Sequence, residues 1–141
     1  MKIIIINGPN LNLLGSREPE WYGRVPFETY FRRLQAAYPE HRLSLLQTNE
    51  EGALVSALQQ AAQDCDAVIL NAAAFSHTSV AIADAVRAIP IPVIEVHLSP
   101  VFAREGFRHH SFTAAACKGT IAGFGLDGYR LAVEHLTGNA L

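Results

Sequence analysis

Five short runs rich in β-branched and apolar residues recur along the chain, and the stretches between them follow a different periodicity. The runs are KIIIIN (2–7), HRLSLLQT (41–48), DAVILN (66–71), PVIEVH (92–97) and GTIAGF (119–124). All are bounded by turn residues, and each predicts a strand. Between the first two, residues 25–38 place Phe27, Tyr30, Phe31 and Leu34 at helical spacing, with Pro26 just inside the start. Residues 49–64 predict a second helix, with Asn49 as its N-cap and early acids suited to the positive end of the dipole. Residues 76–89, with Ser or Thr caps and a stop at Pro90, and residues 128–137 complete the set. Strands alternating with helices imply parallel strands joined by right-handed crossovers and covered on both sides. The expected fold is therefore α/β: a flavodoxin-like, doubly wound, five-stranded parallel sheet with helices on both faces.

A chain of 141 residues suits one core, so residues 1–141 are expected to form a single domain. Half the residues are hydrophobic and 17% are charged, which favours a large core and association between chains. A net charge of −2 with no dense basic cluster argues against a nucleic-acid partner. The longest apolar runs fall far short of the roughly 20 residues that span a bilayer, so no membrane partner is expected. The first residues read as a strand and not as a signal peptide, which makes the cytoplasm the expected location. Cys65 and Cys117 are isolated in the sequence and are expected to be buried thiols.

In open parallel sheets the ligand lies beyond the carboxyl ends of the strands. Here those ends lead into NGPNLNLLGSREPEWYG (7–23), NAAAFSHTS (71–79) and EVHLSPVFAREGFRHHS (95–111). These loops bring Asn10, Arg17, Tyr22, Asn71, His77, Glu95, His97, Ser99, Arg104 and Arg108 toward one crevice, a set rich in donors and short of metal-holding acids. The turn after the first strand fits neither G-x-G-x-x-G nor the phosphate-binding Walker pattern, and no H-E-x-x-H or G-x-S-x-G is present. What remains is acid–base chemistry on a small polar molecule. His97 closes the fourth strand, with Glu95 two residues back on the same face, able to orient it or tune its charge. A plain structural hydrogen bond at the sheet end fits His97 equally well. Arg17 and Tyr22, taken alone, also fit a surface arginine and an aromatic lid.

Taken together, NGPNLNLLGSREPEWYG, HTSVAIADA, IPVIEVHLS and REGFRHHS followed by KGTIAGFG closely resemble the signatures of type II 3-dehydroquinate dehydratases, in order and across essentially the whole chain. The resemblance implies reversible dehydration of 3-dehydroquinate to 3-dehydroshikimate through an enolate. It implies Tyr22 as proton acceptor, Arg17 as its activating partner, His97 as proton donor, Asn10 as the residue positioning a water on the enolate oxygen, and Glu95 as the carboxylate behind His97. Asn71, His77, Leu98, Ser99 and Arg108 match substrate contacts of the family, and Asp84 matches a residue given to a neighbouring subunit's site. It further implies trimers stacked into a homododecamer, and no cofactor.

The implied base is physically reasonable. A free tyrosine has a pKa of about 10, so work near neutrality needs roughly 3–4 kcal/mol of help. One cation at about 4 Å in an effective dielectric near 20 contributes about 4 kcal/mol. A Schiff-base route needs a lysine in the crevice, and the two lysines lie elsewhere: Lys2 starts the first strand and Lys118 precedes the fifth. Three positions depart from the family pattern. Ala72 stands for a proline, Phe75 for a tyrosine and Pro100 for an asparagine, the last removing a backbone N–H beside the substrate and predicting a modest loss of affinity. The long loop predicts a flap, residues about 17–24, closing over substrate. Quinate breakdown by the same reaction, and a non-enzymatic small-ligand or protein-binding module, are the rival readings.

Overall fold

The structure, a computed structural model, describes residues 1–16 and 18–138. Its five strands are β1 (Lys2–Asn7), β2 (Arg42–Gln47), β3 (Ala67–Asn71), β4 (Val93–His97) and β5 (Gly119–Ala122). They form one parallel sheet in the order β2-β1-β3-β4-β5, so the strand order reverses beside β1. The helices are α1 (Pro19–Tyr22), α2 (Phe27–Ala37), α3 (Glu51–Asp64), α4 (Val80–Ala88) and α5 (Asp127–Leu136).

Side-chain alternation along the strands divides the core into two layers. Ile3, Ile5, Ala67, Ile69, Ile94 and Val96 pack against Phe27 and Leu34 of α2 and Tyr129, Ala132 and Val133 of α5. Ile6, Val68, Leu70 and Val93 point the other way, onto Leu54, Leu58 and Ala61 of α3 and Ile82 and Val86 of α4. Residues of β3 and β4 are buried throughout, which matches the apolar run Ala67–Leu70, whereas the edge strands β2 and β5 are partly exposed. Each fully buried Ile or Leu contributes about 1.5–3 kcal/mol, so the β-branched runs that signal strands also supply much of the stability.

Local chemistry moves several boundaries from their sequence-based positions. β5 stops at Ala122 because Gly123 turns away with φ of +93° while its N–H bonds the His97 carbonyl. Residues 73–77 form a 3₁₀ turn, and α4 starts only after Ser79, whose hydroxyl accepts the Ile82 N–H at 2.9 Å. Pro26 sits at the N-cap of α2, one residue earlier than expected. Asn49 does not cap α3; Glu50 holds that position without a side-chain bond. The Asn49 carboxamide oxygen instead accepts the Asn10 N–H at 3.0 Å, tying the start of the long loop to β2. Cys65 and Cys117 are free and only partly buried, less enclosed than expected.

Candidate active site

The carboxyl ends of β1, β3 and β4 surround a crevice at the position where open parallel sheets hold their ligands. Its walls include Asn10, Tyr22, Asn71, His77, His97, Leu98, Ser99, Arg104 and Arg108.

Asn10 follows β1 in the left-handed region, with φ of 70°, a conformation asparagine tolerates better than most residues. That turn holds Asn10 at the crevice wall. Asn71 ends β3; its Nδ2 donates to the Tyr129 hydroxyl at 2.9 Å, and its Oδ1 accepts the Ala73 N–H at 3.1 Å. Ala73 itself has φ of 53°. Ala72, where the related pattern has proline, is fully buried with φ of −73°, a proline-compatible value. Phe75 packs into the α3–α4 core layer and is absent from the crevice wall, so a hydroxyl there would not face the site.

His97 is the last residue of β4, and its Nε2–H meets Glu95 Oε2 at 2.9 Å. That contact fixes the tautomer and leaves Nδ1 for the crevice. Glu95 is fully buried. Burial pushes its carboxyl up, but the bond and charge of His97 and the hydroxyls of Thr113 and Ser111 outweigh it, holding Glu95 below the usual carboxylate range. His97 is therefore backed by a standing negative charge. His77 lies nearly parallel to His97 at 5.9 Å. Its Nδ1–H donates to the His110 carbonyl at 2.7 Å. Burial lowers its pKa, the His110 carbonyl opposes this, and the His97 and Arg108 charges add to the lowering. A neutral His77 offers its other nitrogen as an acceptor.

The loop after β4 supplies the cation. Arg104 has a side chain only 5% exposed, and its Nη1 donates to the Tyr22 hydroxyl at 2.8 Å and to Ser99 Oγ at 3.1 Å. Its guanidinium lies 4.8 Å from the Trp21 ring centre and 5.3 Å from that of Tyr22. Glu18 Oε2 is 3.7 Å from Nη2, so Arg104 holds α1 by three residues at once. Arg108 lines the same wall, bound to Glu105 Oε2 at 2.6 Å.

Of the described residues expected in the crevice from sequence, Asn10, Tyr22, Asn71, His77, His97, Leu98, Ser99, Arg104 and Arg108 line it while Glu95 stands behind His97. Asp84 does not join them; it lies on α4, its side chain 71% exposed, beside Arg87 at 3.5 Å. Arg17 lies outside the described residues. Arg104 was placed in the crevice by its loop but given no task, and it donates to the Tyr22 hydroxyl. Tyr129 and Asn7 were missed, because a tyrosine inside an amphipathic helix and an asparagine ending a strand carry no signal of their own. Pro100 is exposed and packs near Gly123, beside the Ser99 wall. Among the described residues no group of three or more His, Cys, Asp and Glu is placed to hold a metal ion, and no helix is long and apolar enough to cross a membrane.

Fold and crevice define an α/β protein of flavodoxin-like topology whose site pairs a cation-bound tyrosine with a carboxylate-bound histidine. Residues 1–137 match the family of class II dehydroquinases, and the chain belongs to that family. It is 52% identical over 132 residues to the 3-dehydroquinate dehydratase of Hyphomonas neptunium, covering 94% of this chain and 90% of that one. To the 3-dehydroquinate dehydratase of an Exiguobacterium species it is 53% identical over 137 residues, 96% and 94% of the two chains. The crystal structure of the type II dehydroquinase from Butyrivibrio crossotus superposes with a TM-score of 0.94 at 40% identity, covering 97% of each chain.

Proposed function

We propose that this chain is a hydro-lyase that reversibly dehydrates 3-dehydroquinate to 3-dehydroshikimate. The observation that carries the reading is the buried Arg104 guanidinium on the Tyr22 hydroxyl, in the same crevice as His97 backed by Glu95. Tyr22, as its oxyanion, removes the proton beside the ketone and leaves an enolate. His97 gives a proton to the C1 hydroxyl, which departs as water. For the next turnover, Tyr22 loses its proton and His97 regains one. Arg104 stabilises the tyrosinate, and Arg17 is a second cation for the same task. Asn10 holds a water on the enolate oxygen, while Asn71, His77, Leu98, Ser99 and Arg108 bind the substrate.

The setting follows from the same reading: a cytoplasmic enzyme of the shikimate route to aromatic amino acids, assembled as a homododecamer of stacked trimers, in which Asp84 reaches a neighbouring subunit's crevice. Exposed Phe102, Phe107 and Phe124 support such an assembly, since aromatics this open are commonly covered by another chain. The test is the ultraviolet absorbance of the conjugated enone product. Purified chain added to 3-dehydroquinate without metal raises that band, and Tyr22→Phe abolishes the rise. A flat trace with the unaltered chain would overturn the proposal.

A further inference from the structure

We infer that Tyr129 and Asn7 form a positioning relay that fixes which way round the Asn71 carboxamide faces the substrate; this rests on the dehydratase reading above. Asn7 and Asn71 are register partners at the carboxyl ends of neighbouring strands β1 and β3. Tyr129 rises between them from α5, fully buried, with its ring edge-on to Phe27 at 4.9 Å. Asn7 and Asn71 are buried too, at 1% and 3% exposure.

The hydrogen bonds run in one direction. The Tyr129 hydroxyl donates to Asn7 Oδ1 at 2.8 Å, and its oxygen accepts from Asn71 Nδ2 at 2.9 Å. A phenol has a single proton. With that proton held by Asn7, the oxygen turned to Asn71 can only accept, so it requires the NH₂ end of the carboxamide. At the other end the Ala73 N–H requires the Oδ1. Turning the amide over would set two acceptors together at Tyr129 and two donors together at Ala73. Burial pushes the Tyr129 phenol above its ordinary range, which keeps it a neutral donor.

One N–H of Asn71 remains, and Asn71 forms part of the crevice wall. The relay therefore makes Asn71 a fixed donor to a hydroxyl or ketone oxygen of the substrate. Neither Tyr129 nor Asn7 lines the crevice, so both act through Asn71.

Steady-state kinetics on 3-dehydroquinate, with thermal unfolding alongside, test the relay. Tyr129→Phe keeps the ring and removes the hydroxyl; it raises KM roughly five- to tenfold with kcat within about threefold, the size expected for one misdirected hydrogen bond. In an Asn71→Ala background the same change raises KM no further, because the group it orients is gone. A loss of unfolding temperature with wild-type KM, or the full KM effect repeated in the Asn71→Ala background, overturns the relay. Should Tyr129→Phe fail to fold, Asn7→Ala removes the acceptor and must give the same KM pattern, and a wild-type KM there overturns the relay as well. An unaltered chain that leaves 3-dehydroquinate untouched overturns the dehydratase reading and the relay with it.

Discussion

Replacing Arg104 with alanine removes the guanidinium donated to the Tyr22 hydroxyl and leaves Ser99 and Glu18 without that partner. The expected outcome is a fall in kcat of about 10²–10³-fold, the range found when a donor aimed at developing charge is lost. Arg104→Lys recovers only part of it, because an ammonium restores the charge without the planar fork that serves Tyr22 and Ser99 together. A kcat within threefold of wild type in Arg104→Ala would remove Arg104 from the chemistry. Sequence paired Tyr22 with Arg17, five positions away and outside the described residues, and gave Arg104 no task. Arg104 is 82 residues from Tyr22, and only the placing of β4 beside β3, separated from β1 by that one strand, brings them together. Spacing along a loop is visible in a sequence, whereas a contact closed by the sheet is not.

The flap shows the same division one level up. A long loop after β1 was legible from the sequence, and within it the short helix α1 carries Tyr22 to the crevice; closure of residues 17–24 over substrate is the expectation put to the test below. That helix was not anticipated, since four residues framed by Gly and Pro show no periodicity. Gly23 ends it at φ of 79° and ψ of −179°, a region nearly restricted to glycine, with nothing within 4 Å of where a Cβ would stand. Gly23→Ala therefore meets backbone strain of about 1–3 kcal/mol and no clash. The flap relieves it by leaving its place over Arg104, so kcat/KM drops roughly tenfold while the core layers stay intact. Limited proteolysis of residues 18–24, with and without a product-like ligand, reports the change: ligand protects the unaltered flap and protects Gly23→Ala less. Equal cleavage in all four samples would dismiss flap closure. Strands and long helices were legible because burial on two faces writes a period into the sequence. Exceptions such as Asn49 and Gly123 arose where a side chain or turn serves the loops of the site.

At the scale of the whole molecule, acid should destabilise the protein in two windows. His77 has its pKa lowered from 6.5, so below that value the unfolded chain binds a proton the folded chain resists, and stability declines as pH falls. Glu95 is lowered from 4.5; its contribution is present above that pH and is lost as pH falls through its folded value. Urea midpoints taken from neutral pH downward should fall first below about 6.5 and again below about 4.5, and a flat midpoint across the upper window in wild type would discount His77. The proposed assembly makes a separate demand on Asp84, which is exposed on α4 and is not part of its own crevice wall. If it serves a neighbour's site, Asp84→Ala raises KM, while Tyr22→Phe disables only the crevice that carries it. Mixing the two variants equally, dissociating and reassembling them, then pairs some intact Tyr22 crevices with a neighbour bearing intact Asp84. With random mixing in a closed trimer, about one site in four has both, and those sites turn over substrate at the wild-type KM. A biphasic substrate dependence after reassembly, absent when the variants are mixed without dissociation, is the expected result. Mixtures that never exceed the activity of Asp84→Ala alone would confine Asp84 to its own subunit.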